Sequence, residues 1–353
     1  DTRQDTYEER RAVPPRTPPV AIERGFRLED QTLGLEFTAV QAFAAGNVSH
    51  TFVYGFEAAD SRIEERRDGE QTNLNDGSVT SVILGESFPL RDFPITDVTR
   101  IGAFVQDEVQ FGESGWTLIP ALRVDYYELD PRADAMYRQD NPTTGAVGLD
   151  DTAVAPKLGV TRDLGNGLTA FLQYARGFRA PPPEDLNIGL ELPLLNVKAI
   201  PNPDLQPETS DGYELGLRWT GASGGFSASA FYTDYQDFIE SKVNLGRDPV
   251  TGVTLFQSQN IADARIYGAE ITANARLGER WPSLEGWNAR LSAAYAAGEN
   301  SVNGEPLNSV DPASGVLALG YAANSGRWGG EFVTPAVAAK SAVDDSRADL
   351  YET

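Results

Sequence analysis

One unit repeats along the chain: an alternating strand candidate, a short glycine-rich turn, a second strand candidate and a long polar connection. The short turns are Ala45-Gly46-Asn47, Gly112-Glu113-Ser114-Gly115, Gly165-Asn166-Gly167, Gly221 to Gly225 and Asn324-Ser325-Gly326, and a Trp-Pro segment takes the same place after residue 277. Glycine and asparagine tolerate the left-handed backbone that tight hairpins require. The pattern therefore predicts a series of antiparallel hairpins, and with it an all-β fold.

These hairpins predict about 12 complete strands, and residues 1–10 add part of another. The strand candidates are 31–43, 49–63, 98–111, 116–129, 153–163, 168–179, 212–220, 226–239, 256–277, 287–297, 313–322 and 328–339. The long connections are 64–97, 130–152, 180–211, 240–255 and 298–312. Short turns at one end of a sheet and long loops at the other are typical of transmembrane β-barrels of the outer-membrane type.

Residue alternation within the strands supports a barrel. After Arg265 one face carries Tyr267, Ala269, Ile271, Ala273, Ala275 and Leu277, and the other carries Gly268, Glu270, Thr272, Asn274 and Arg276. Four tryptophans beside the short turns resemble an interfacial girdle: Trp116, Trp219, Trp287 and Trp328. A soluble β-sandwich with a buried apolar face stays open as an alternative. Strands of about 11 to 15 residues favour the membrane barrel.

Composition limits the partners and the chemistry. Nucleic acid is excluded as a partner because the formal net charge is −23 and phosphate binding needs a basic surface. The absence of cysteine excludes disulfides and thiolate chemistry, and no run of about 18 apolar residues encodes a transmembrane helix. The chain starts at Asp1 without a signal sequence, so we expect it to be a fragment of a longer protein.

Two short motifs carry a family resemblance. Phe178-Arg179-Ala180-Pro181 resembles the FRAP box, and Asn202-Pro203-Asp204-Leu205 resembles the NPNL box, of TonB-dependent outer-membrane receptors for haem and haemoglobin. Asp204 stands where the box usually has a second asparagine. Segments 153–164, 205–218, 231–241, 260–271 and 306–321 are similar to barrel strands of the same family. The resemblance covers most of residues 31–340.

The resemblance implies more than this chain contains. It implies a plug domain that contacts TonB and a barrel of about 22 strands. We therefore expect residues 1–353 to form a partial barrel of about 12 to 13 strands, without the plug or the C-terminal strands. It also implies the outer membrane of a Gram-negative bacterium, with outer-membrane lipid and the TonB–ExbB–ExbD complex as partners.

The predicted extracellular loop 180–210 lies between the two boxes. Seven prolines stiffen it, and its apolar residues are Leu186, Ile188, Leu190, Leu192, Leu194, Leu195 and Val197. These apolar side chains suit either a porphyrin and an apolar protein patch or packing against the plug and neighbouring loops. By resemblance, the candidate substrate-binding residues are Phe178, Arg179, Ala180, Pro181, Asn202, Pro203, Asp204, Leu205 and Arg176.

The axial ligand that haem receptors of this family place between the boxes is missing. Histidine, tyrosine, methionine and cysteine are all absent between Ala180 and Leu205. The only histidine, His50, follows a short turn, which predicts an interfacial side chain at the periplasmic end and not a ligand. Met136 and Tyr137 lie in another long loop and are most simply surface residues. No metal site is predicted, and haem enters only as a transported ligand, with no covalently bound cofactor.

Charged residues at the loop base are expected to brace it. Arg176 and Arg179 end one strand, and Glu208 and Glu214 enter the next. An enzyme is not predicted, because a serine hydrolase needs a positioned base and His50 lies at the wrong end. Phosphate loops, HExxH and EF-hand patterns are absent, and adjacent carboxylates carry little information in so acidic a chain.

Two functions of different classes therefore remain. The first is an active-transport receptor, energised through TonB, that imports an iron compound. Haem or a haemoprotein is the favoured compound, and a ferric siderophore or another nutrient is the alternative. The second is a passive or adhesive outer-membrane barrel without a plug.

Overall fold

The structure, a computed structural model, describes residues 2–12, 19–142 and 145–343. Its strands are β1 (Thr2–Ala12), β2 (Val20–Ala45), β3 (Val48–Asn73), β4 (Val79–Thr80), β5 (Val82–Ile83), β6 (Glu86–Ser87), β7 (Ile95–Phe111), β8 (Trp116–Arg132), β9 (Leu149–Gly165), β10 (Leu168–Arg179), β11 (Glu191–Leu192), β12 (Val197–Ala199), β13 (Glu208–Gly221), β14 (Gly224–Arg247), β15 (Thr254–Arg276), β16 (Trp287–Asn300), β17 (Ser314–Ala322) and β18 (Gly329–Val337). Its two α-helices are α1 (Ala135–Asp140) and α2 (Pro183–Asn187).

The long strands form one antiparallel sheet in chain order. That order is β1-β2-β3-β7-β8-β9-β10-β13-β14-β15-β16-β17-β18, and the sheet is not closed, because β1 and β18 stand at its two ends. This arrangement confirms the predicted antiparallel barrel architecture and each of the predicted hairpins. We call the end with short turns the inner end and the end with long loops the outer end.

The strands extend further at the outer end than the sequence predicts. β2 and β3 pair without interruption from Ala45 and Val48 to Val20 and Asn73, so each has 26 residues. The segments 20–30 and 64–73 are rich in charge and lack apolar alternation, so the sequence leaves the first outside the strand candidates and places the second in the long connection 64–97. A tilted strand crosses a bilayer in about 9–11 residues, so more than half of each strand stands beyond an apolar band.

Apolar side chains on the outward face are exposed in a band limited by aromatic rows. Near the outer end four tyrosines of neighbouring strands are in register: Tyr174, Tyr213, Tyr232 and Tyr267. Near the inner end the rings of Trp219 and Phe226 stack at 6.2 Å between centroids. Leu215, between the two rows, is 62% exposed. An uncovered apolar band between aromatic rows is the face that a barrel presents to lipid. Among the described residues, no helix has the length and apolar character needed to cross a membrane.

The buried core lies on the inward face at the outer end. Val98 of β7, Leu129 of β8 and Ile239 of β14 pack with Leu186 and Leu205, and all five are at most 3% exposed. The last two residues belong to the connection between β10 and β13. This connection, residues 180–207, is named the box loop here, and it folds back into the mouth of the sheet.

Candidate functional site

The first box ends strand β10 and anchors the base of the box loop. Arg179 Nε lies 3.1 Å from Glu208 Oε1 of β13, which confirms the expected bracing by this pair. The other oxygen of Glu208, Oε2, accepts a hydrogen bond of 2.9 Å from the Ile239 backbone N–H. Pro181 is less than 2% exposed. This box therefore joins β10 to β13 and β14, with Pro181 buried and Arg179 half exposed.

Arg176 and Glu214 do not share that brace. Arg176 stands opposite Asp211 in the β10–β13 register, two residues from Tyr174 and on the same outward face. Glu214 stands opposite Gln173 on the inward face. The expected four-residue brace is thus wrong in this part, because strand alternation sends residues 176 and 179 to opposite faces. Phe178 shares the outward face with Arg176.

The second box is fixed to strand β15. Asn202 Nδ2 donates a hydrogen bond of 2.9 Å to the Ser258 carbonyl, and Asn202 Oδ1 accepts one of 3.1 Å from the Asp204 N–H. Leu205 is 1% exposed in the core, whereas Pro203 and Asp204 are exposed. The turn uses only the backbone of Asp204, so replacing the usual asparagine leaves this local geometry intact.

A buried carboxylate between the two boxes was not predicted. Asp185 of α2 is 5% exposed, and its Oδ1 and Oδ2 accept hydrogen bonds from Ser258 Oγ at 2.7 Å and Ser241 Oγ at 3.1 Å. Ser258 thus contacts Asp185 through its hydroxyl and Asn202 through its carbonyl. Two hydroxyl donors compensate the buried carboxylate, which holds α2 against β14 and β15.

Asn187 attaches the other end of α2 to a neighbouring loop. Its fully buried amide accepts from the Val147 N–H at 2.7 Å and donates to the Val147 carbonyl at 2.9 Å. Tyr137 of α1 donates its hydroxyl to the Asn187 carbonyl at 3.0 Å. Burial raises the pKa of Tyr137, which keeps the hydroxyl a donor. Tyr137 is 0% exposed, so its expected surface position is wrong.

The apolar residues of the box loop divide into two groups. Leu186 and Ile188 are buried at 1% and 9% exposure, whereas Leu194 and Leu195 at the tip are 62% and 65% exposed. The tip is held because β12 pairs in parallel with β15 and the Thr254 N–H donates to the Asn196 carbonyl at 2.9 Å. The buried group agrees with packing against neighbouring strands and loops, whereas a ligand contact at the exposed tip stays a prediction.

A charged node connects the box loop to the loop between β3 and β7. The Gly189 N–H donates to the Asp92 carbonyl at 2.7 Å, and Asp92 Oδ1 accepts from Arg67 Nη1 at 3.0 Å. The Asp92 N–H donates to Glu65 Oε2 at 2.8 Å. Burial, and then the charge of Asp92, raise the pKa of Glu65 to about 7. Arg67 also pairs with buried Glu86.

His50 lies far from the box loop, beside a short turn at the inner end. Its Nδ1 is 2.8 Å from Asp107 Oδ2, and its ring stacks on Phe43 at 4.8 Å. This position agrees with the expected interfacial side chain. Within the described residues, no group of three or more histidine, cysteine, aspartate or glutamate side chains is arranged to hold a metal ion.

Known sequences match this chain over much of its length. The family described as "TonB dependent receptor-like, beta-barrel" matches residues 2–351. The chain is 30% identical over 196 residues to the "Probable hemoglobin and hemoglobin-haptoglobin-binding protein 4" of Haemophilus influenzae, which covers 53% of the chain and 19% of that protein. It is 32% identical over 195 residues to the "Hemoglobin-haptoglobin utilization protein B" of Neisseria meningitidis serogroup C, which covers 50% of the chain and 24% of that protein. The matches thus span about a fifth to a quarter of these relatives.

Solved structures share the fold. The hemophore receptor HasR of Serratia marcescens, solved with HasA and heme, aligns with a TM-score of 0.65 and 16% identity over 95% of this chain and 57% of HasR. The copper transporter OprC aligns with a TM-score of 0.64 and 20% identity, over 92% of this chain and 45% of OprC. The ferric citrate transporter FecA aligns with a TM-score of 0.58 and 18% identity, over 90% of this chain and 43% of FecA. At these identities the likeness shows a common barrel fold alone.

Proposed function

Because the chain belongs to the TonB-dependent receptor β-barrel family, we propose that it is part of an outer-membrane receptor that binds and imports an iron compound. Haem or a haemoprotein is the proposed compound, and TonB with ExbB and ExbD is the proposed source of energy. Residues 1–353 act as a partial barrel domain in a Gram-negative outer membrane, with lipid against the apolar band. Membership in a receptor family weighs against the passive barrel and against an enzyme.

One observation carries the choice of compound. Relatives named for binding or using haemoglobin are 30% and 32% identical to this chain over about half of its length. Both boxes expected from a haem receptor are also present, and the box loop lies in the barrel mouth, where a ligand from outside arrives. The predicted loop 180–210 ends slightly earlier, because β13 begins at Glu208.

The candidate residues divide by exposure into two proposed roles. Pro181, Asn202 and Leu205 hold the box loop in place, because their surfaces or polar atoms are occupied by contacts within the barrel. The exposed residues at the mouth can meet a ligand approaching from outside: Arg179, Pro203 and Asp204. Arg176 is also exposed, but it stands on the outward face of the sheet. Phe178 and Ala180 are half-buried beside them. We place the main ligand contact at the tip, on Leu194 and Leu195.

A ferric siderophore is the second candidate. Its support is the absence of histidine, tyrosine, methionine and cysteine between Ala180 and Leu205, since a siderophore brings its own iron ligands. Spectral titration of the full-length receptor separates the two. We expect haem to shift its Soret band on binding and ferric siderophores to leave the receptor unchanged. The absence of a Soret shift, together with the absence of haem-dependent growth, would exclude haem as the ligand and leave the proposed transport function in place.

Charge at the tip should weaken capture of a haemoprotein. We expect Leu194→Asp with Leu195→Asp to lower affinity for haemoglobin by at least about 100-fold, because each leucine that becomes buried contributes roughly 1.5–3 kcal/mol. Haemoglobin binding to the full-length receptor is measured by surface plasmon resonance. Val302→Asp is the control, since Val302 is also exposed, at 70%, in a different outer-end loop. Equal losses in both variants would contradict a specific contact at the tip.

A further inference from the structure

Arg176 stands just beyond the row of four tyrosines on the outward face of the sheet. Towards the outer end, the outward face of β10 carries Leu172, Tyr174 and then Arg176. Leu172 is 54% exposed, and Arg176 is exposed as well. Strand β10 begins at Leu168, so Arg176 lies within about the 9–11 residues that cross a bilayer. Apolar, aromatic and cationic side chains thus follow one another in the order of hydrocarbon, interface and headgroups in a membrane.

Arg176 belongs to a row of charged residues that are in register across five strands. From β10 to β16 the row consists of Arg176, Asp211, Asp234, Arg265 and Glu299. The Tyr174 hydroxyl donates to Asp211 Oδ1 at 2.6 Å, and the Tyr232 hydroxyl donates to Asp234 Oδ1 at 3.0 Å. Arg265 Nε donates to Glu299 Oε1 in an ion pair. Each of these four neighbours of Arg176 in the row therefore has a partner.

The charge of Arg176 itself is uncompensated. Its cross-strand neighbour Asp211 is held by Tyr174, and among the described residues no carboxylate lies within ion-pair distance of the Arg176 guanidinium. Other outward arginines nearer the outer end do have such partners, since Arg66 pairs with Asp68 at 2.7 Å. A guanidinium presents donors in a planar fork that matches the oxygens of a phosphate group.

We propose that Arg176 binds the phosphate of a lipid headgroup in the outer leaflet. The apolar band, the tyrosine row and Arg176 are continuous along β10, so a lipid whose chains lie against Leu172 brings its phosphate to the guanidinium. The complementary charge and the adjoining apolar surface together favour a lipid over a free phosphate ion. Arg176 thereby gains a role other than the substrate contact expected from its place beside the first box. This proposal rests on the proposed place of the barrel in a membrane and not on the imported compound.

Native mass spectrometry of the full-length receptor in detergent tests this contact. Dioleoyl phosphatidic acid is the probe, and dioleoyl phosphatidylcholine, whose choline group shields the phosphate, is the reference. We expect the wild type to bind the probe more tightly than the reference, and Arg176→Gln to lower affinity for the probe about fivefold. Arg176→Lys should keep most of that affinity, because it retains the charge. Excess inorganic phosphate should not displace the probe, because the ion lacks chains that contact the apolar band.

A second variant removes an arginine at the same depth without changing the net charge. Arg265→Gln with Glu299→Gln replaces an existing ion pair, so it should leave the affinity for phosphatidic acid nearly unchanged. A loss as large as that of Arg176→Gln would overturn the proposal, and so would an Arg176→Gln variant that binds like the wild type.

Loss of the bound phosphatidic acid from the wild type on addition of EDTA would also overturn the proposal, because a divalent cation on the carboxylates of the row would then hold the phosphate. Every one of these measurements is made without an iron compound. Failure of haem binding in the titration above would leave their outcomes unaffected, so the two proposals fail separately.

Discussion

Arg67→Met is expected to destabilise the outer-end loops by about 3–5 kcal/mol, because it removes the buried cation that pairs with both Glu86 and Asp92. Arg67 is 5% exposed, Glu86 is 6% exposed, and Asp92 accepts from Arg67 at 3.0 Å. The methionine fills similar volume, so the loss is mainly electrostatic. Hydrogen exchange of the full-length receptor measures this destabilisation. We expect faster exchange of residues 85–95, with strands β13 to β15 still protected.

The neighbouring arginine supplies the control for this prediction. Arg66 points outward and pairs with Asp68 at 2.7 Å, but both side chains are about half exposed, at 46% and 52%. Exposed ion pairs contribute about 0–1 kcal/mol, so Arg66→Met should change exchange little. Adding Glu86→Gln to Arg67→Met should recover part of the stability, because one uncompensated charge is removed. Equal effects of the two arginine variants would contradict the buried ion pair.

The strands and their pairing could be predicted because lipid and lumen impose opposite chemistry on alternate residues. Tyr267 and Gly268 follow that rule, and so do the other strands within the apolar band. Beyond the band both faces meet water or protein loops, and the rule no longer applies. Arg66 and Arg67 are an example: Arg66 is exposed and Arg67 is buried, although nothing in the sequence distinguishes the two arginines.

Register explains the tyrosine row that the sequence did not reveal. Each tyrosine lies on a different strand, and only the pairing of Tyr174 with Tyr213, and of Tyr232 with Tyr267, brings the rings to one level. The short-turn tryptophans were easier to recognise, because each stands within a few residues of its turn.

The boxes could be located from the sequence, but most of their supports could not. The Arg179 and Glu208 pair was predictable, because the two residues end and begin consecutive long strands. Asp185 contacts Ser258, which is 73 residues away. The chain contains 52 acidic residues, so nothing in its sequence marks this one as buried. Such contacts depend on where a loop folds, and that is decided by core residues such as Leu186.

Gly189→Ala is expected to release the box loop from the mouth. An added Cβ would lie 1.5 Å from Asn141 Oδ1 and 2.3 Å from its Cγ, so the whole amide must move. Asn141 is 6% exposed and caps α1 by donating its backbone N–H to the Tyr137 carbonyl. Overpacking of this kind costs about 1–3 kcal/mol and occasionally more, and here it also disturbs the Gly189 hydrogen bond to Asp92. Faster thiol labelling of Leu186→Cys in the full-length receptor, by at least about tenfold, would report the release, because Leu186 is 1% exposed beneath the box loop.

A nearby glycine and a second substitution separate steric clash from other effects. Gly145→Ala adds the same methyl group where no atom lies within 4 Å, so it should leave labelling unchanged. Combining Gly189→Ala with Asn141→Ala removes the clashing amide and should restore much of the protection. If the double variant stays as open as Gly189→Ala, the clash is not the cause. If it recovers, the clash between the added Cβ and the Asn141 amide caused the release, and ligand affinity should recover with it.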